Sequence, residues 1–257
     1  MDRSCEIMIK YVPADIRRRN REEMPDTPGS TTDEGLIMNY FPFYLDITNK
    51  TFLIIGGGPV AHEKVDRLRL FTQDIIVVAP RTQIQGDFTT QARRGYGKTQ
   101  ILCKEYAEED LDLADFVVAA TGIREVDRRV AVDCRRRGIP VNVVDDREYC
   151  DFIFPGIIKR DSLTVAISTS GTSPAYAMQL RKEIEVILPD EIGPILTRMG
   201  ELRGTVSARI PDQKARAAVY RKILSELIET ENRMNDEKIG QIIEMMAHNR
   251  TNDREIR

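Results

Sequence analysis

Between residues 51 and 144 the apolar positions fall in short continuous runs, and beyond residue 189 they recur at helical spacing, so the chain reads as a strand-rich part followed by a helical one. Phe52 to Ile55, Ile75 to Val78 and Phe116 to Ala120 are unbroken apolar runs, the pattern of parallel strands covered on both faces, and Ile139 to Val144, interrupted by Asn142, reads as a fourth strand. Between the last two, Val126 to Arg137 has helical spacing and a strongly basic outer face, with Gly138 placed to cap its end. Strands alternating with helices at this interval predict a doubly wound parallel sheet of Rossmann-like α/β type.

From residue 152 the pattern changes. Phe152 to Phe154 and Leu163 to Ile167 read as short strands joined through Pro155-Gly156 and a polar bend at residues 159–162, a small added sheet outside the first domain. Ser168 to Pro174 then leads into a helix with Ser173 at its N-cap and Pro174 in its first turn. In the helical remainder, Val219, Ile223, Leu224, Leu227 and Ile228 should pack on other helices. The expected divisions are a disordered tail over 1–37, a nucleotide-binding domain over 38–150, a β-containing dimerisation and substrate segment over 151–188 and a helical region over 189–257. The tail is charged and rich in Pro, Ser, Thr and Gly, too poor in apolar residues to offset the entropy of ordering. Met38, just ahead of the folded pattern, is a candidate translation start.

Composition narrows the function classes. Net charge is −3 with acids and bases interspersed among 257 residues, which favours neither a nucleic-acid surface nor a membrane-binding face. No apolar run nears the ~20 residues of a membrane span, and a secretory apolar core is missing, so a cytoplasmic protein is expected. Cys5, Cys103, Cys134 and Cys150 form no CxxC pair, which points to reduced thiols rather than a cluster, a zinc site or a disulfide framework. His62 and His248 are the two histidines; His62 reads as a helix-surface residue, and no preformed metal site is expected.

The candidate chemistry sits where the first strand ends. In GGGPVA, Gly56 permits a tight turn, Gly58 lets the backbone approach a pyrophosphate, and Ala61 keeps the following helix close to the sheet. An ordinary glycine turn is the bland alternative; the succeeding βα units weigh against it. Asp145, at the carboxyl end of the fourth run, faces either a ligand or merely a turn with Asp146. The hydroxyl-rich loop before Pro174 could hold a carboxylate or phosphate, or simply start a helix.

Taken in order, YFPFYLDITNKTFLIIGGGPVAHEK, VVAP, VVAAT, VNVVDD, CDFIFPGIIKRDSLTVAISTSGTSP and LRKEIE resemble the siroheme synthase family, in particular its precorrin-2 dehydrogenase unit, over about residues 39 to 205. The resemblance implies a stand-alone unit without the fused methyltransferase, and NAD-dependent oxidation of precorrin-2 to sirohydrochlorin. It further implies a homodimer built through the middle sheet and, for some members, insertion of Fe²⁺ as a substrate. By this resemblance Asp145 is the catalytic aspartate. Gly56, Gly58, Pro59, Val60, Arg81, Thr82 and Thr121 contact the nucleotide, and Thr169 matches a substrate-side serine.

A substrate with many carboxylates calls for cations and free N–H groups. Arg124, Lys159, Arg160, Arg181 and Lys182 are candidates, with Asn142, Ser170 and Ser173 beside them. Asp145, partly withdrawn from water, would serve as general base. The second strand runs into Val78-Ala79-Pro80-Arg81 without the usual acidic residue for the ribose, so NADP stands open beside NAD. Two rival readings are a dehydrogenase of another substrate and a nucleotide-sensing module without turnover.

Overall fold

The computed structural model describes residues 40–84 and 99–255, with side chains to residue 248, and the chain divides into two compact units that meet between Phe154 and Pro155. The expected N-terminal tail and Met38 lie outside the described residues.

In the first unit five parallel strands lie in the order β3-β2-β1-β4-β5: β1 (Phe52–Ile55), β2 (Ile75–Val78), β3 (Gln100–Leu102), β4 (Phe116–Ala119) and β5 (Val141–Val143). Helix α1 (Pro59–Leu68) follows β1 and α2 (Arg124–Arg137) follows β4. Strand alternation sends Phe52 and Ile54 to one face, where Ala61, Val65 and Leu68 of α1 meet them. Leu53 and Ile55 point the other way, onto Val130, Ala131 and Cys134 of α2. Both faces are covered, which is why the three central strands β1, β2 and β4 are apolar throughout. At the C-terminal end of α2, Gly138 takes φ 70° and Ile139 N–H donates to the Cys134 carbonyl, the left-handed cap that the sequence suggests.

The basic face of α2 is tied down by acids. Arg128 pairs with Asp146, Arg136 with Asp133, and Arg137 with Asp112. Asp133 itself is buried and also accepts from the Tyr106 hydroxyl at 3.0 Å. Burial and this bond push the Tyr106 hydroxyl far above its usual range, while burial pushes the Cys134 thiol up to about 12. Cys103, Cys134 and Cys150 are free thiols.

Three expectations need correction here. The strand Gln100–Leu102 was not anticipated; at three residues, with a polar first position, it carries too little pattern to read. Helix α2 begins at Arg124, two residues before its first periodic apolar position. Phe152 to Phe154 is not a strand: Phe152 stacks edge-on against Phe116 and close to Phe154, so these rings fill the α1 side of the core instead of alternating along a sheet.

The second unit starts with the hairpin β6 (Gly156–Arg160) and β7 (Leu163–Ile167), paired antiparallel through a two-residue loop in which Asp161 has φ 48°. Gly156 is therefore the first residue of a strand and not a connecting turn. Helix α3 (Pro174–Ile187) packs on this hairpin, and Ser173 Oγ accepts the Tyr176 N–H at 3.3 Å as its N-cap. Helices α4 (Ile192–Arg209), α5 (Gln213–Glu229) and α6 (Asp236–Glu255) bury a common core around Ile195, Val206, Val219, Ile223, Leu227, Ile239 and Ile243. Leu224 joins at its edge, whereas Ile228 is 39% exposed and lies outside the core expected for it. No helix among the described residues is long and apolar enough to cross a membrane.

Candidate functional site

Where β1 ends, Gly56 takes φ 130°, and a Cβ there would overlap the Ala120 carbonyl. The turn thus needs glycine for two reasons, conformation and space. At Gly57 a Cβ would press on Ala79 and Gln83 at 3.0 Å, a constraint that the spacing of the motif does not announce. Gly58 differs from both. It has ordinary extended dihedrals, and a Cβ at that position would meet nothing within 4 Å, so it faces open space at the start of α1.

That helix start carries no side-chain cap and no acid in its first turn. Its leading N–H groups and the positive end of its dipole are left for an anion. Outside the carboxyl ends of β1, β4 and β5, where the strand order reverses, lies a cleft of about 340 Å³. Gly58, Pro59 and Val60 line one side, Ala120 to Gly122 the floor, and Val143 to Asp146 the other side, with Arg124 and Asp127 completing it. These residues fit a dinucleotide: a bare helix start for the pyrophosphate, and strand-end backbone beside it for the rest.

Asp127 was not foreseen. Its buried carboxylate accepts from Thr121 N–H at 3.0 Å and from the Thr121 hydroxyl at 2.8 Å, and that hydroxyl in turn accepts the Ile123 N–H at 3.0 Å. Thr121 therefore lines the cleft with its hydroxyl already committed to the loop. Asp146 was foreseen only as a turn residue; its carboxylate holds Arg128 at 3.0 Å and stands 3.6 Å from Arg124. Asp146 lies 18 residues from the Arg128 it holds, with the run VNVVDD as its only hint in the sequence, whereas Asp127 lies six residues from Thr121 and no motif marks it.

Asp145 sits at the cleft rim with φ 61° and is exposed. The expected withdrawal from water is thus not a property of the chain alone and would have to come from a ligand covering it. Asn142, expected on the substrate side, is 7% exposed and donates its amide to the Phe152 carbonyl at 2.8 Å. It points to the α1 side of the sheet because its neighbours Val141 and Val143 take the α2 side. Nearby, Lys64 on α1 holds its ammonium 4.8 Å from the Phe154 ring, and burial lowers its pKa although Asp145 acts in the opposite sense. Nδ1 of His62 is 3.2 Å from the Asp66 carboxylate, half-buried on the same helix.

Arg81 and Thr82 form a short 3₁₀ turn directly after β2 and are exposed. The remaining candidates belong to the second unit. Thr169 Oγ1 accepts the Ser173 N–H at 3.2 Å, Ser170 has φ 49° with its N–H on Ser168 Oγ, and Ser173 caps α3. Arg181 donates to the Ile157 carbonyl at 3.3 Å and Arg160 pairs with Glu185; Lys159 donates to the Asp161 carbonyl. Lys182 is exposed. Among the described residues, no group of three or more His, Cys, Asp or Glu side chains is arranged to hold a metal ion.

Residues 43–156 match the family described as putative NAD(P)-binding, and residues 160–186 match the sirohaem biosynthesis protein central family. Over 187 residues the chain is 35% identical to the siroheme synthase of Thioalkalivibrio sulfidiphilus, a match covering 73% of this chain and 37% of that one. It is 37% identical to the siroheme synthase of Methylococcus capsulatus over 187 residues, 73% and 39% of the two chains. The chain thus spans less than two fifths of the length of these relatives. A solved precorrin-2 dehydrogenase, SirC, superposes with a TM-score of 0.59 at 21% identity over 80% of this chain and 98% of its own, in agreement with the fold.

Proposed function

On the premise that this chain belongs to the siroheme synthase family through its NAD(P)-binding and central segments, we propose that it oxidises precorrin-2 to sirohydrochlorin with NAD as hydride acceptor. The observation that carries this reading is the pairing, across one cleft, of an uncapped helix start with an exposed carboxylate held at a strand end.

The reaction removes two hydrogens from the macrocycle, one as hydride and one as a proton. The chemistry supplied by a bound NAD is acceptance of the hydride. The chain's own share is to orient and to take the proton. The first turn of α1 binds pyrophosphate through its N–H groups, with Gly58 leaving room for it. The Asp127–Thr121 bonds fix the loop on the cleft floor. Asp145 Oδ accepts the proton as general base. Arg124 attracts substrate carboxylates at the same mouth.

Lys159, Arg181, Thr169, Ser170 and Ser173 are proposed substrate contacts of the second unit. NAD is favoured over NADP by the family resemblance, while Arg81 after β2 would suit a 2′-phosphate; titrating both cofactors separates them. A homodimer through the middle segment is supported by α3, which buries none of its residues and exposes Tyr176, Met178, Val186 and Ile187; sedimentation tests it. The reaction is assigned to the cytoplasm. Insertion of Fe²⁺ into the product is a second reading, supported by the same exposed carboxylate as acceptor for the pyrrole protons.

An anaerobic assay with precorrin-2 and NAD should yield NADH and sirohydrochlorin in equal amounts, and added Fe²⁺ then reads out metallation. Reduction of NAD with small hydroxy or amino acids alone, or tight NAD binding without turnover, would overturn the proposal in favour of its two rivals. Asp145→Asn should lower turnover by about 10²–10⁴-fold with NAD affinity unchanged.

A further inference from the structure

Among the described residues β5 is the outermost strand on its side of the sheet, so its outward N–H and C=O groups have no ladder partner there. The chain after Asp145 returns along this edge and supplies one. Val141 N–H donates to Asp151 Oδ2 at 3.0 Å, and its carbonyl accepts the Asp151 N–H at 2.8 Å. Two residues further along, a thiol takes the place of a peptide group: Cys150 Sγ lies 3.2 Å from the Val143 nitrogen and 3.1 Å from the Val143 oxygen. The same sulfur stands 3.4 Å from the Asp146 carbonyl and 3.4 Å from the Asn142 amide. Burial pushes the thiol's pKa up, which keeps the proton it donates.

Between these anchors the backbone reverses through Val144, Asp145 and Asp146. Asp145 is left-handed, a conformation uncommon for an L-residue although aspartate adopts it more readily than most. The turn's own closing bond, from Asp146 N–H to the Val143 carbonyl, is long at 3.4 Å. Cys150 reaches both ends of that turn, since it touches the carbonyls of Val143 and Asp146.

We infer that Cys150 is a positioning residue, whose thiol bridges Val143 and Asp146 and so holds the Asp145 turn in the pose from which its carboxylate takes the substrate proton. This inference rests on the assignment of Asp145 as the general base. Its action passes through the backbone of the turn, and the sulfur itself does no chemistry.

The test is a double-mutant cycle in the full chain, measuring precorrin-2 turnover with NAD, NAD affinity by titration, and thermal melting. Cys150→Ala should lower kcat about tenfold while leaving the Kd for NAD unchanged. Cys150→Ser, which retains a donor and acceptor on a shorter bond, should recover most of that loss. In an Asp145→Asn background, Cys150→Ala should add no further loss, because the group it orients is already gone. An undiminished kcat in Cys150→Ala, or an equal fall in both backgrounds, would overturn the positioning role. Should Cys150→Ala fail to fold, the same cycle with Cys150→Ser reads the same non-additivity on a smaller fall. Full turnover in Asp145→Asn alone would instead refute the general-base assignment.

Discussion

Helices α1 and α3 begin alike and end up in opposite states. Each has a proline in its first turn, after Gly58 in one and Ser173 in the other, and both sequences read as anion sites. In α3 the serine hydroxyl accepts the Tyr176 N–H, and Thr169 Oγ1 accepts the N–H of Ser173, so these two N–H groups at the start of the helix are met from within. In α1 the glycine offers no hydroxyl, and the strand ends open onto its N–H groups. A single side chain separates a helix start that stabilises itself from one that waits for a ligand.

The largest effect should come from turning α1 into a copy of α3 with a charge added. A Cβ at Gly58 meets no atom within 4 Å and the dihedrals there are extended, so Gly58→Asp should fold and even gain up to about 1 kcal/mol in stability. NAD affinity should nevertheless fall about 100-fold or more, since a carboxylate would sit where the phosphates belong; a denaturant melt reads the stability and isothermal titration the affinity. Unchanged affinity would mean that the α1 start does not hold the cofactor.

Next in size, NAD at 100 times its Kd should stabilise the first unit by about 2.7 kcal/mol. Hydrogen exchange in the α1 and β1 amides should slow accordingly, with α4 to α6 unaffected. Ser173→Ala comes third. It should destabilise the second unit by about 1 kcal/mol in a denaturant melt and leave NAD affinity as it was. Smallest of all, Pro59→Ala and Pro174→Ala should each cost about 0.5 kcal/mol, equally at both helices, because proline acts there mainly by limiting the unfolded chain. Unequal losses would show that the prolines, and not the residues before them, distinguish the two starts.

These contrasts mark how far the sequence could be read. β1, α1, β2, β4 and the Gly138 cap were legible because each is written locally, in apolar runs or in a residue that alone can adopt the required dihedral. Phe152 to Phe154 misled for the converse reason: alternating apolar residues look like a strand, and only the stacking of Phe152 on Phe116, 36 positions away, makes them core filling. The glycine turn and Asp145 were visible, but Asp127, Asp146 and Cys150 act on groups whose distance in space no periodicity encodes. Asn142 shows the same limit from the other side. Its place beside Asp145 in the chain suggested a ligand contact, whereas strand alternation turns it inward.

The returning segment along β5 also bears on how the protein behaves when concentrated. An open parallel edge is a template for intermolecular strand pairing and, eventually, fibril growth. By occupying Val141 and Val143 with Asp151 and Cys150, the molecule covers that edge with hydrogen bonds from its own nearby chain, so proteolytic nicking between Asp146 and Cys150 should promote self-association before it unfolds the sheet.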